Sequence, residues 1–318
     1  MTGPPAATAA VRVAVRRSLV DLDGPVAAAV SGGADSLALA AALAHVRPGS
    51  VALVVDHGLQ AGSDRVAARA AQQCRDLELR AHVLDGSRPH PQHSGAVDTD
   101  VSRTAGGPEA AARSARYAAL DRAADEHALA AVLLGHTLDD QAETVLLGLV
   151  RGSGARSLAA MAPVRGRYRR PLLGATRATT RAACREAGLE PWEDPHNALP
   201  AYARVRVRDV VLPVLEEQLG PGVAAALART AQQLRDDADA LDALTPDTDD
   251  VAELRALPAA LRGRALKRWA EDSCGRAVSA AHVDALRALV EDWHGQGPVA
   301  LPGGLRARRD GARLAFGP

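Results

Sequence analysis

Short apolar runs alternate with longer stretches of helical spacing through the first half of the chain. Val26–Val30, Val51–Val55 and Ala130–Leu134 are brief apolar runs that contain β-branched residues, as buried strands do, and Arg80–Leu84 reads as a further strand. Between them Val11, Val15, Leu19 and Leu22 fall at helical intervals, Ser36 opens an Ala/Leu-rich segment, and Arg65–Leu77 and Glu109–His127 read as helices. A further helix runs to Val150, with Leu146 and Val150 as its apolar anchor. Strands alternating with helices imply right-handed crossovers and a parallel sheet. The pattern breaks over Asp85–Pro108, a loop rich in Pro, Gly, Ser and His that is functional or disordered, with His90 and His93 read as solvated. Helical patterns resume over Val210–Leu244. Pro246–Asp250 reads as a hinge, and a smaller helical unit ends in a Gly/Arg-rich tail.

A chain of 318 residues exceeds one typical compact core, so two domains are expected, 1–215 and 216–318. It is 47% apolar but only 2% aromatic, which leaves Ala, Val and Leu to build the core. The formal net charge is zero, so a polyanion must be met by local basic patches, such as Arg151–Arg185, which holds nine arginines and no acid. Cys74, Cys184 and Cys274 form no Cys-x-x-Cys pair, which argues against a zinc ribbon, an iron–sulfur centre or a redox pair and suits a reducing cytosol. No stretch approaches the ~18 apolar residues of a membrane span, and the N-terminus lacks a signal-peptide core; a soluble, cytoplasmic protein without membrane contact is expected.

The chemistry concentrates where strands give way to helices. After Val26–Val30 comes Ser31-Gly32-Gly33-Ala34-Asp35-Ser36, a glycine turn whose backbone N–H groups and hydroxyls can converge on an anion. It has neither the lysine of a P-loop nor a Gly-x-Gly-x-x-Gly pattern. Asp35 sits where it would repel phosphate, so it either caps the helix or meets phosphate through a divalent cation. Backbone near Asp56 could hold an adenine edge. His136, Asp140 and Glu143 fall at i, i+4 and i+7, with Asp139 on a neighbouring face. Three carboxylates within five residues are costly to crowd unless they hold a cation, either Mg²⁺ or an ammonium. In an open parallel sheet all of these would meet beyond the carboxyl ends of the strands.

Ser31–Ser36 resembles the pyrophosphate-binding loop of the ATP pyrophosphatases. Further stretches make the resemblance specific: Asp56-His57-Gly58-Leu59; Glu109–Tyr117 with Arg113 and Arg116; His136–Thr144 continuing to Arg151-Gly152; and Arg170–Leu173 with Trp192–Asn197 and Arg204–Pro213. Together, over roughly residues 25 to 215, they are similar to the tRNA(Ile)-lysidine synthetase family. Thr137 stands where the family often has a second His, and Val205 where it usually has Asn, so neither is given a polar role.

The resemblance implies an α/β fold: a Rossmann-like parallel five-stranded sheet with helices on both faces, plus a smaller, mainly helical C-terminal domain. It implies an ATP-dependent carbon–nitrogen ligase. Cytidine O2 of the wobble base in the CAU anticodon of tRNA(Ile) attacks the ATP α-phosphate, and the ε-amine of free L-lysine then displaces AMP to give lysidine. Residue by residue, Ser31, Gly32, Gly33, Ala34, Asp35, Ser36, Asp56, His57, Arg116, Arg151 and Gly152 would bind ATP and pyrophosphate, with Mg²⁺ on Asp35. Asp35, His136, Asp139, Asp140, Glu143 and Arg113 would be catalytic, and Asp140 and Glu143 would bind lysine. Arg165, Arg167, Arg169, Arg170, Arg204, Arg206 and Arg208 would face the tRNA, and a homodimer is left open. The competing readings are a tRNA thiolase, which needs paired cysteines or an iron–sulfur cluster, and a non-catalytic nucleotide-responsive RNA-binding protein.

Overall fold

The computed structural model describes residues 3–56, 58, 62–86, 108–194, 199 and 201–317. His57 and the histidines of the long polar loop lie outside the described residues, as do Pro195–Asn197. Two compact units divide the chain, Met1–Arg235 and Asp236–Pro318.

The first unit is organised by the apolar runs. Strands β1 (Val26–Val30), β2 (Val51–Asp56), β3 (Arg80–Asp85) and β4 (Ala131–Leu133) lie parallel in its sheet. Tyr168–Arg169 (β6) is the fifth parallel strand, and Val164–Arg165 (β5) adds a sixth, antiparallel one at the edge, giving the order β3-β2-β1-β4-β6-β5. Strand β6 runs parallel to β4 and β5 antiparallel to β6. Two residues each are too short to leave a period in the sequence.

Although β1 is apolar throughout, its side chains still alternate between two cores. Val26, Ala28 and Val30 join Ala52, Val54, Ala131 and Leu133 on one face. That face is covered by α1 (Ala6–Ser18), α2 (Ala34–Val46), α3 (Ser63–Asp76) and α7 (Arg177–Glu186). Ala27, Val51, Leu53 and Val132 point the other way, against Tyr117, Leu120 and Ala124 of α4 (Pro108–Glu126). The sheet is thus clothed by helices on both sides, as the apolar runs require. Helix α2 carries buried residues all round, including Leu37, Leu39, Ala40 and Leu43, which places the helix after the glycine turn at the centre of the fold.

Helix α5 (Leu138–Val150) follows β4, and the short α6 (Ala155–Leu158) follows it. Leu146 packs with Ala142, Val207 and Leu212, but Val150 is exposed, so the anchor lies on one side of the helix and not at its end. Helix α8 (Ala203–Arg206), a π-helical turn (Val207–Val211) and α9 (Leu212–Leu219) run on without a break in helical backbone, and α10 (Val223–Leu244) follows. Val207 and Leu212 packed against Ala142 hold this segment beside α5. No single helix among the described residues is long and apolar enough to cross a membrane.

The second unit contains α11 (Val251–Ala256), α12 (Ala259–Cys274) and α13 (Ala280–Glu291) around a core with Leu254, Leu266, Leu286 and Leu289. Its Gly/Arg-rich tail is not irregular. β7 (Val299–Ala300), β8 (Arg306–Asp310) and β9 (Arg313–Gly317) form an antiparallel sheet that buries Ala307 and Leu314, and Trp269 stacks on Phe316 at 3.9 Å. Asp250 accepts bonds from the N–H groups of Ala252 and Glu253, so the expected hinge ends in a helix cap.

Candidate active site

The glycine turn closes on itself. Gly32 has φ +86, a conformation that side chains oppose, and Gly33 is the N-cap of α2. Ser36 Oγ accepts from Ser31 N–H at 3.1 Å, donates to the Gly33 carbonyl at 2.9 Å and lies 3.2 Å from Ser31 Oγ. The turn is therefore shaped before any anion arrives. The N–H groups of the first turn of α2 stay directed outward. Trp192 donates its N–H to the Gly32 carbonyl at 2.9 Å and braces the outer side of the turn.

Parallel pairing brings the other strand ends alongside. Val30 pairs with Val54, so Asp56 ends β2 just beyond the turn, its Oδ1 accepting from Gly58 N–H at 3.0 Å. The β1–β4 register carries Gly135 and His136 to the opposite side. A Cβ on Gly135 would stand 3.2 Å from the backbone of Asp35 and Ser36, so glycine is what lets the two segments touch.

Thr137 begins α5 as its N-cap. Its hydroxyl faces Asp140 N–H at 3.5 Å, while Asp140 Oδ2 accepts from Thr137 N–H at 2.7 Å and from its hydroxyl at 2.9 Å. Thr137 thus has the polar role denied to it from sequence: it fixes one oxygen of Asp140 and leaves the other for chemistry. Val205 is buried and apolar, in line with its sequence reading.

The acids at 139, 140 and 143 do hold a cation, and it is a guanidinium. Arg177 Nη2 lies 3.0 Å from both Asp140 Oδ1 and Glu143 Oε1, its backbone N–H donates to Asp139 Oδ2 at 2.7 Å, and its Nε is 4.0 Å from Asp35 Oδ2. Arg177 was not singled out from sequence because it was one of nine arginines in a block; its place at the start of α7, after the N-cap Thr176, was the available signal. The third turn partner also comes from α7: the buried Thr180 hydroxyl donates to Asp35 Oδ1.

Glu143 has no exposed surface. Besides Arg177, Arg208 Nε lies 2.8 Å from its Oε1 and Arg204 Nε 3.5 Å from its Oε2, while Arg204 also donates to Thr144 Oγ1 at 3.0 Å. Arg204 in α8 and Arg208 in the π-helical turn, both expected to face tRNA, thus also reach the buried Glu143.

Arg170 is buried, donating from Nε to His136 Nδ1 at 3.3 Å and from Nη1 to the Ala162 carbonyl at 2.9 Å. Arg169 grips Asp21 at 2.6 Å, and Arg167 reaches Asp125 at 2.7 Å. Arg165 sits in β5, and Arg206 is exposed and donates to the Ala201 carbonyl at 2.9 Å. Of the seven arginines offered to tRNA, Arg170, Arg204 and Arg208 thus face buried or half-buried partners, as Arg167 does through Asp121, whereas Arg169 pairs with the exposed Asp21.

Electrostatics separate the acids. Burial pushes the Asp35 carboxyl above its usual range, against the Thr180 hydrogen bond, and the negative neighbour Asp140 adds to the rise. For Asp140, burial acts in the same upward direction but is outweighed by Arg177, His136 and the Thr137 bonds, so it stays ionised below the usual carboxylate range. Burial drives His136 well below its ordinary value, opposed by Asp140 and helped by Arg170, Arg113 and Arg204. A neutral imidazole whose Nδ1 accepts from Arg170 carries its proton on Nε2.

Arg113 lies over the Tyr117 ring at 5.3 Å and is near enough to influence His136, while Arg116 is exposed on the same helix. Arg151 and Gly152 follow α5, roughly 16 Å along its axis from Asp140.

The comparisons agree with this geometry. Residues 14–215 match the PP-loop domain family, and residues 250–314 match the TilS substrate binding domain. The tRNA(Ile)-lysidine synthase of Leifsonia xyli subsp. xyli is 53% identical, covering 91% of this chain and 88% of that protein. Those of Thermobifida fusca and Streptomyces coelicolor are 53% and 51% identical, each aligned over 99% of this chain and over 98% and 99% of their own lengths. Among solved structures, the U34-tRNA thiolase NcsA from Methanococcus maripaludis with its 4Fe-4S cluster has a TM-score of 0.57 at 20% identity, covering 72% of this chain and 78% of that one, a likeness of fold alone. A glycine turn facing a carboxylate-headed helix, carried on this sheet and matched over nearly the full length of such relatives, places the chain in the tRNA(Ile)-lysidine synthase family.

Proposed function

We propose that this protein ligates free L-lysine to C2 of the wobble cytidine in the CAU anticodon of tRNA(Ile), using ATP. The observation that carries this reading is the direct apposition of two built sites. The Ser31–Ser36 turn and the Asp139/Asp140/Glu143 cluster are joined by Arg177, in a chain about half identical to full-length lysidine synthases.

In the first step cytidine O2 forms a bond to the α-phosphorus and the α–β phosphoanhydride bond breaks. The outward N–H groups of the glycine turn and the start of α2 receive the departing pyrophosphate, and Arg113 is placed to offset charge on the α-phosphate side. Among the described residues no group of three or more His, Cys, Asp or Glu could hold a metal. Asp35 alone, with its side chain 28% exposed at the start of α2, suits Mg²⁺, which takes one or two carboxylates and otherwise keeps water and phosphate oxygens. Bound there, the ion would neutralise charge developing on the leaving pyrophosphate.

In the second step the lysine ε-nitrogen bonds to C2, the C2–O2 bond breaks and AMP leaves with that oxygen. Asp140 and Glu143 orient the amine, and one of them takes the proton that its nitrogen gives up on attack. His136 Nε2–H is available to a base edge or phosphate oxygen. Asp56 and His57 are proposed at the nucleotide base, and the C-terminal unit at the tRNA, where Arg306, Arg308 and Arg313 line its sheet. A thiolase reading has less support, since Cys74 and Cys184 are buried in the core and Cys274 belongs to the other unit.

Incubation of the purified protein with ATP, Mg²⁺, lysine and the CAU-bearing isoleucine tRNA should release AMP and pyrophosphate and convert one cytidine to lysidine, read by mass spectrometry of the nucleosides. An unmodified cytidine with folded protein would reject the proposal.

A further inference from the structure

Arg177 occupies the position that an amine substrate would need. A single nitrogen, Nη2, is shared at 3.0 Å by Asp140 Oδ1 and Glu143 Oε1, which is how an ammonium would bridge two carboxylates. The other oxygens are already spoken for, Asp140 Oδ2 by Thr137 and Glu143 Oε2 by Arg208 at 3.3 Å. Glu143 Oε1 also lies 2.8 Å from Arg208 Nε, so an incoming cation shares that oxygen with Arg208 and takes Asp140 Oδ1 in place of Arg177. The side chain of Arg177 is 16% exposed, and its backbone N–H is pinned to Asp139 at 2.7 Å, so the guanidinium can swing while the start of α7 stays fixed. Its Nε already lies 4.0 Å from Asp35 Oδ2, which marks the direction in which it can move.

We propose that Arg177 is an internal stand-in for the amine: it holds Asp140 and Glu143 until lysine's ε-ammonium replaces it, and it then turns toward Asp35 and the phosphate side of the crevice. This rests on the lysine-ligating reading above and adds a specificity rule to it. When Arg177 moves, Glu143 keeps Arg208 and Arg204, but Asp140 needs a replacement counter-ion. A simple amine must displace a cation that is already tethered, and only one with further contacts along its chain does so efficiently.

The test uses the full chain with its tRNA, ATP and Mg²⁺. A crystal structure of the wild type with lysine and a non-hydrolysable ATP analogue should show the ε-ammonium on Asp140 Oδ1 and Glu143 Oε1 with Arg177 withdrawn toward Asp35. Lysine bound elsewhere, with the Arg177 contacts kept, overturns the proposal. In steady state, Arg177→Met should lower the KM for lysine about fivefold or more, because the fraction of sites blocked by the internal cation is removed. Methylguanidinium should become competitive with lysine in that variant and not in the wild type. A KM that is unchanged or raised, as loss of a merely structural clasp would give, overturns it as well. Arg177→Lys, with a shorter tethered cation, should keep a KM nearer the wild type. Lysine-dependent AMP release by the wild type is the control: its absence rejects the proposed function, whereas its presence with an unmoved KM rejects only the role of Arg177.

Discussion

At the glycine turn, six consecutive residues make their own site: Ser36 ties Ser31 and Gly33 together, and the start of α2 supplies the donors. At the head of α5, the carboxylates are also consecutive or nearly so, but what completes them is not. Arg177 comes from 34 residues beyond Glu143 and Arg208 from 65 beyond it. The first half of the crevice is a local motif and the second is a tertiary assembly. Local backbone geometry can present donors to an anion, because N–H groups are already part of the chain. Clustered buried acids cannot stand alone, because each needs a counter-charge that the same few residues cannot supply.

The largest expected effect tests the assembly. Glu143→Gln leaves Arg177, Arg204 and Arg208 facing a neutral group in the interior, and should cost about 3–5 kcal/mol of stability in urea unfolding. A variant as stable as wild type would show that the arginines do not depend on Glu143.

Next comes the joint between the halves. Gly135→Ala pushes a methyl to 3.2 Å from the backbone of Asp35 and Ser36, and should cost ~1–3 kcal/mol while slowing pyrophosphate release. Normal turnover in that variant would mean that the close approach is not needed.

Thr137→Ala removes the cap of α5, with an expected loss of ~1 kcal/mol. It also frees Asp140 Oδ2, so the KM for lysine should change more than that for ATP.

The smallest effect on stability is of opposite sign in the two halves. Asp35 has a raised carboxyl, so its ionisation costs stability; Asp35→Asn should melt slightly above the wild type at neutral pH, with the difference vanishing below pH ~4, and should abolish adenylation. Asp140 is depressed, so it contributes stability above the ordinary carboxylate value, lost as pH falls through its folded value. Asp140→Asn should melt lower at neutral pH and converge with the wild type in acid. Melting curves of both variants from pH 3 to pH 7 would expose a common sign, which would dissolve the distinction.

The strands β1 to β4, their parallel order and the helices after them were legible because each apolar run is long enough to show its period. The edge hairpin was not, since β5 and β6 hold two residues each, and the C-terminal sheet was hidden because β8 reads Arg-Ala-Arg-Arg-Asp, with Ala307 its one buried side chain. The contacts of Arg204 and Arg208 with Glu143 were hidden for a related reason. An Arg-Val alternation says that one side is apolar, but not that a π-helical turn will wind the charged side onto a buried acid. Val150 was assigned to an anchor by spacing, and only the packing of Val207 and Leu212 against Ala142 shows which side of α5 is covered.

The sequence by itself determined the glycine turn, the acids at 139, 140 and 143, the sheet that brings them together, and the family to which the chain is similar. These depend on neighbours a few residues apart and on hydrophobic period. Only the tertiary structure decided which of the many arginines faces which acid, that Thr137 fixes Asp140, that Thr180 holds Asp35 and that Arg170 reaches His136. A charged side chain's role is set by what burial and packing place within a few ångströms of it, and one arginine among 38 basic residues carries no local mark of that.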